Sequence, residues 1–162
     1  MSPDPELILA APLWPHGDSS LMHLMRRAGQ HSGTCWSQCV DTGLSAVQYA
    51  ILVVLEEEQE CDQQTLGSRA GFDKATGTYL IDRMSKSGLI RVETDSSNRR
   101  RKLVTMTSDG KAMMERMVEM AKQAERTIAA GLDSQDIADL KRLLSKLTGL
   151  QEPDEHLSDP AR

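Results

Sequence analysis

Four consecutive cations, Arg99-Arg100-Arg101-Lys102, stand in a 162-residue chain whose formal net charge is −5. A run of this kind is ordinarily a solvated loop, and it does chemistry only where something negative can reach it. The distribution of charge suggests that something can. Residues 64–105 carry nine cations against four anions, a local charge of +5 that leaves −10 on the remainder. A basic middle inside an acidic frame is the footprint of a localised polyanion site, whereas the overall acidity argues against a generic nucleic-acid binder. A second constellation lies nearer the N-terminus. His23, Arg27, Gln30 and His31 stand at i, i+4, i+7 and i+8, one polar stripe along a helix, with Arg26 beside it. The planar fork of an arginine can bond both oxygens of a carboxylate, and Trp36 and Tyr49 can supply flat walls for an aromatic ring.

The other reactive side chains point to less. Cys35 and Cys39 are i, i+4 on the same helix, where a disulfide is geometrically poor. Both lie on an apolar stripe, while a reactive thiol needs an electropositive, accessible setting. Cys61 sits in an acidic stretch that reads as a loop. The four histidines (His16, His23, His31 and His156) show no ligand spacing with the cysteines, so no metal site is expected. No activated nucleophile, acid–base pair or phosphate loop suggests an enzyme, and no cofactor is implied.

The elements that must position these groups follow from periodicity. Aromatic residues are only 3% of the chain, so the core must be mostly aliphatic and Met, which suits packed helices. Residues 1–18, with four prolines, read as an irregular arm. A first helix is expected from Ser19 or Ser20 to about Val40, with Leu21, Leu24, Met25, Ala28, Ser32, Cys35, Trp36 and Cys39 on one face. Ser45 can cap a second helix over 47–57, and Asp62 a short third one over 63–70 that Gly71 ends. Asp73 can cap a fourth over 74–87, with Leu80, Ile81 and Met84 inward. Gly77 in the middle of that helix hints at a close approach, to DNA or to a neighbouring helix. Two alternating stretches, 89–94 and 102–107, joined through Asp-Ser-Ser-Asn, read as a β-hairpin. Thr107 can cap a fifth helix to about Ala130 with Met113, Met117, Met120, Ala124 and Ile128 as its stripe. Ser134 can cap a sixth to Leu147, with Ile137, Leu140, Leu144 and Leu147 inward. The tail at 149–162 reads as disordered. No apolar run approaches the ~20 residues of a membrane helix, and three cysteines without framework spacing agree with a cytoplasmic protein.

The predicted fold class is therefore mainly α with a small β-wing. A winged helix-turn-helix core (about 45–107) is flanked by helices at about 19–41 and 108–148. Such a core places its second short helix in a DNA major groove and its hairpin on the flanking backbone. On the fourth helix that leaves Lys74, Thr76, Thr78, Tyr79 and Arg83 to face DNA. Thr76 and Thr78 suit base edges or thymine methyls, and Lys74 and Arg83 suit phosphates. Winged helices also serve as protein adaptors, so a partner protein in place of DNA is the rival from another class.

The stretch AGFDKATGTYLIDRMSKSGLIRVETDSSNRRRKLVTMTSDG resembles the core of the MarR family of bacterial transcription regulators. Asp82-Arg83-Met84, Gly88-Leu89-Ile90 and Thr107-Ser108-Asp109-Gly110 occupy the places of that family's signature, and the similarity runs from about Ser19 to Leu147. The resemblance implies a homodimer, built mainly from the first, fifth and last helices, that binds a pseudo-palindromic site. It matches Arg100 to the family's minor-groove arginine, leaving Arg99, Arg101 and Lys102 as phosphate contacts. Asn98 stands where an aspartate usually orients that arginine, and a neutral amide would do so without charge assistance. Leu24-Met25-Arg26-Arg27-Ala28-Gly29-Gln30 resembles a segment of members that regulate aromatic-acid catabolism. The implied function is a repressor released from its operator by a small aromatic carboxylic acid. His23, Arg26, Arg27, Gln30, Trp36, Cys39 and Tyr49 are its candidate ligands, with either arginine as the clamp. Gly29, where those members have histidine, tilts the choice toward a larger ring of indole or phenylpropanoid type over benzoate. Some members sense peroxide through a cysteine on the first helix, which keeps a redox-sensing repressor as the alternative.

Overall fold

A computed structural model describes residues 20–150. The expected arm at 1–18 lies outside these residues, as does all of the expected tail beyond its first two positions. In chain order the elements are α1 (Leu21–Cys39), α2 (Ala46–Glu58), β1 (Glu60–Asp62), α3 (Gln63–Ala70) and α4 (Lys74–Lys86), then β2 (Ile90–Thr94), β3 (Lys102–Met106), α5 (Ser108–Ile128) and α6 (Ser134–Thr148). The chain divides into two compact units between Thr127 and Ile128. The mainly helical class and the winged helix-turn-helix order are those expected from periodicity.

Local chemistry sets most boundaries. Ser45 and Gln48 exchange bonds as a capping box at the start of α2. The carboxylates of Asp62 and Asp73 accept the backbone N–H groups of Thr65 and Thr76, each at 2.8 Å, and so open α3 and α4. Gly71 ends α3 in the left-handed conformation, at φ 78°. One cap differs from expectation. Asp133, not Ser134, opens α6, because its carboxylate accepts the Asp136 N–H at 2.8 Å while Asp136 returns a bond at 3.2 Å. A carboxylate there also complements the helix dipole, which a serine cannot do.

The sheet has three strands where two were expected. It runs β1-β3-β2, antiparallel throughout, with Cys61 opposite Val104 and Val92 opposite the same residue on the other side. Cys61 is therefore a buried strand residue, not part of a loop. Burial raises its thiol pKa, and the carboxylates of Asp62 and Glu58 push it further in the same direction. The sheet closes one side of a core made by Ile51, Leu52, Val54 and Leu55 of α2, Leu66 of α3, and Leu80, Ile81 and Met84 of α4.

The mid-helix Gly77 also has its explanation here. A Cβ at that position would lie 2.4 Å from Cε2 of Phe72, and one at Gly67 would lie 3.1 Å from the same atom. The chain's one phenylalanine is seated between two glycines, one on each helix of the helix-turn-helix. The close approach is to this ring, so Gly77 gives no sign of a DNA contact. Gly77→Ala should thus destabilise by about 1–3 kcal/mol through overpacking, even though alanine gains about 1 kcal/mol in helix propensity. A lower urea midpoint, restored by adding Phe72→Leu, is the expected result. A raised midpoint would show that the ring moves freely.

The apolar faces of the outer helices fare differently from one another. On α5, Met117, Ala121 and Ala124 are buried. On α1 only Cys35 is buried, and Leu21, Met22, Leu24 and Met25 are exposed. α6 has no buried residue, and Leu140, Leu143, Leu144 and Leu147 are exposed, contrary to the inward packing expected of Leu140, Leu144 and Leu147. No helix among the described residues is long and apolar enough to cross a membrane.

Candidate nucleic-acid interface

The inward set on α4 is Gly77, Leu80, Ile81 and Met84. Lys74, Thr76, Thr78, Tyr79 and Arg83 remain exposed, as expected, with Tyr79 61% accessible. The Thr78 hydroxyl donates to the Lys74 carbonyl at 3.0 Å, which occupies its proton within the helix and leaves its methyl for outside contacts.

Residues 95–101 form the tip of the wing, and its backbone is tied down at several points. The Asp95 N–H donates to the Arg101 carbonyl (3.0 Å), the Asn98 N–H to Asp95 (3.2 Å) and the Arg101 N–H to Asn98 (2.8 Å). The Asp95 carboxylate accepts the Ser97 hydroxyl at 2.6 Å and its N–H at 2.8 Å, and these bonds hold its pKa below the usual carboxylate range. Asn98 Oδ1 accepts the backbone N–H of Arg100 at 3.1 Å. Asn98 thus fixes the main chain of the arginine, where the family's pattern suggested a bond to its guanidinium.

The four cations separate. Arg99 and Arg100 are exposed. Lys102 Nζ donates to the Thr94 hydroxyl at 2.7 Å across the hairpin. Arg101 donates to Asp62 Oδ2 through Nε (3.2 Å) and a terminal nitrogen (2.9 Å), and its other terminal nitrogen lies 3.5 Å from Asp95. The Thr65 backbone N–H and then Arg101 hold the Asp62 carboxyl below its ordinary range, while Asp62 raises the pKa of Arg101.

A cleft of ≈ 750 Å³ opens between α3, α4 and the wing, and Lys74, Thr78, Asn98, Arg100, Arg101 and Lys102 line it. Phe72 and Ile81 form apolar parts of its wall. The fold therefore brings Lys74 and Thr78 of the expected set together with the wing cations, whereas Thr76, Tyr79, Arg83 and Arg99 stand outside this cleft. Sequence reasoning missed Gln63, Gln64 and Ser68 of α3, which also line it. The signal was present, since an Asp-capped helix with consecutive polar residues at its start exposes them to whatever occupies the groove.

The second constellation is less assembled. A terminal nitrogen of Arg26 lies 3.2 Å from His23 Nδ1, and Arg27, Gln30 and His31 are exposed along α1. Trp36 donates to the Leu44 carbonyl at 2.8 Å and packs on Tyr49, ring centroids 5.7 Å apart. Cys39 Sγ lies 3.7 Å from the Thr127 hydroxyl. Trp36 is nine residues beyond Arg27, about 13 Å along the axis and about half a turn round it. Arg27 and the aromatic walls of one chain therefore cannot hold one ring between them. A Cβ on Gly29 would meet nothing within 4 Å, so its missing side chain opens no cavity in this chain.

The MarR family model matches residues 44–102, a span that contains every residue lining the cleft. The HTH-type transcriptional repressor NicR of Pseudomonas putida is 26% identical over 126 residues, 77% of this chain and 80% of that protein. A probable transcriptional regulator of Pseudomonas aeruginosa, of solved structure, is 32% identical with a TM-score of 0.75, over 80% of this chain and 98% of that one. Bordetella bronchiseptica BpsR is 31% identical with a TM-score of 0.73, over 79% of this chain and 98% of that one, and its DNA binding is regulated by 6-hydroxynicotinic acid. The chain belongs to the MarR family. It is a MarR-type winged-helix transcriptional regulator, and α4 is the second helix of its helix-turn-helix. The part outside the family match, α1 together with α5 and α6, carries the apolar faces left exposed on α1 and α6.

Proposed function

We propose that this MarR-family regulator is a cytoplasmic homodimeric repressor that binds a pseudo-palindromic operator and leaves it when a small aromatic carboxylic acid binds. The observation that carries the DNA half is the cleft, in which the recognition helix and three wing cations face the same space. Lys74, Thr76, Thr78, Tyr79 and Arg83 serve the major groove and its phosphates, and Asn98, Arg99, Arg100 and Lys102 the flanking backbone and minor groove. The exposed leucines of α6 and the apolar start of α1 support dimerisation, which would set two recognition helices about 34 Å apart, one DNA turn.

Regulation of BpsR by an aromatic acid supports the effector class. Because Arg27 and the Trp36–Tyr49 pair stand on opposite sides of α1, the pocket is completed across the dimer, with His23, Arg26, Gln30 and Cys39 on its rim. The effector shifts operator affinity only by binding one dimer spacing better than the other. Titrating the dimer with duplex from its own upstream region at moderate salt tests the DNA half and separates it from a protein-adaptor role. Among benzoic, pyridine-carboxylic, indole-type and phenylpropanoid-type acids, at least one should raise the melting temperature and release DNA. Arg26→Ala or Arg27→Ala should abolish that release with operator binding intact. If neither does, the carboxylate clamp is wrong.

A second reading rests on one contact, Cys35 Sγ at 3.6 Å from His31 Nε2. The thiol it reaches is only 2% exposed. Release of DNA by an organic hydroperoxide, lost in Cys35→Ser, would favour this reading over the aromatic acid.

A further inference from the structure

Arg101 lies in a run of four cations, yet its surroundings differ from those of the other three. Its guanidinium meets Asp62 through two nitrogens and Asp95 through the third. Asp62 pairs with Leu103 in β1, caps α3 through the Thr65 N–H, and receives Arg101 from 39 residues away. Asp95 anchors the opposite side of the wing tip through Ser97 and the Arg101 carbonyl. One side chain therefore connects the start of the helix-turn-helix to both ends of the turn that carries Arg100. The side chains of Asp62 and Asp95 are only 23% and 11% exposed, against 48% for Arg101. To reach a phosphate, Arg101 would have to leave two carboxylates unpaired and facing a polyanion. With both acids in place, the trio presents no net positive charge to DNA.

We infer that Arg101 is a positioning residue that straps the wing to α3 through Asp62 and Asp95, so that Arg100 is aimed at DNA while Arg101 itself makes no phosphate contact. This rests on the DNA-binding function proposed above, and it replaces the phosphate role expected for Arg101 from its place in the basic run.

Three variants test it: Arg101→Ala; Arg101→Lys, which keeps the charge and loses the fork; and Asp62→Ser, which keeps a cap and loses the carboxylate. Affinity for duplex from the protein's own upstream region is measured across a salt series. A strap predicts that all three weaken binding by about tenfold, the scale of a lost charged hydrogen bond. The slope against salt should be unchanged, and Arg101→Ala with Asp62→Ser should be no worse than either alone. The Asp62 result is diagnostic in sign, because removing a negative charge near DNA should otherwise strengthen binding. A slope reduced by about 1 in Arg101→Ala and restored in Arg101→Lys, or tighter binding by Asp62→Ser, would overturn the strap. If the unaltered protein does not bind the duplex, the DNA function fails, and hydrogen exchange still decides the strap. The Ser97, Asn98 and Arg101 amides should then exchange faster in Arg101→Ala than in the unaltered protein, and equal rates would refute it.

Discussion

Gly110→Ala should cost about 3 kcal/mol or more, beyond the usual range for one extra methyl in a packed site. A Cβ at Gly110 would fall 2.1 Å from the Leu89 carbonyl oxygen, 3.0 Å from its carbon and 2.9 Å from Met106 Cγ. The first two neighbours are main chain, which cannot swing aside as a side chain can. They are also committed. The Leu89 carbonyl accepts the Thr107 N–H at 3.1 Å, and the Thr107 hydroxyl donates to Gly88 at 2.6 Å while accepting from the Gly110 N–H at 3.0 Å. The first turn of α5 is thereby bolted to the turn between α4 and β2. Any side chain at Gly110 must lift the helix off that turn and break these bonds together. Glycine here serves contact and not conformation, since its φ lies outside the left-handed range. Alanine would otherwise gain about 1 kcal/mol as a helix former, and the clash should outweigh that gain. A urea titration should show a lower midpoint with an unchanged m-value, and an unchanged midpoint would mean that α5 is free to shift. Operator affinity should fall too, because β2 begins at the displaced turn.

The second large effect is expected at Arg100. Its backbone is set by Asn98 and its side chain is exposed, while the adjacent Arg101 is engaged by carboxylates. A minor groove has a strongly negative potential when narrow, and a single arginine suits it. Arg100→Ala should lower operator affinity by roughly 10- to 100-fold and reduce the salt slope by about 1. Arg99→Ala should do less, as one exposed phosphate contact among several. Arg100→Lys should keep the slope and lose part of the affinity, since a lysine lacks the planar fork. Unchanged affinity and slope in Arg100→Ala would remove the wing from recognition. Asn98→Ala should reproduce part of the loss without changing the slope, because it frees the backbone and removes no charge.

Much of this molecule was legible along the chain because the deciding interactions are short in sequence. Asp62 and Asp73 each cap a helix by bonding a residue three positions on. The left-handed glycines 71 and 88 end the two helices of the reading head, again locally. Alternation at period two marked β2 and β3, and period 3.6 marked the buried side of α4. These features determined a winged helix-turn-helix and identified the side chains that face away from its core.

What periodicity could not show is which distant groups meet. β1 is three residues long, too short for a pattern, and exists only because β3 pairs with it from more than forty positions away. Gly77 carried a real signal of close approach, but only the packed structure names Phe72 as the neighbour. The four cations of the wing were equivalent as a string. Folding brought Asp62 within 2.9 Å of Arg101 and left Arg100 exposed, and that difference underlies the separate roles proposed for the two. The proposed aromatic-acid pocket is the reverse case. Helical geometry alone puts Arg27 and Trp36 on opposite sides of α1, so the sequence contained the constraint. The sequence by itself determined the elements and the chemistry on their faces, because caps and hydrophobic period act over a few residues. Only the tertiary structure decided which charges are neutralised and which remain exposed, because Coulomb partners are chosen by distance in space.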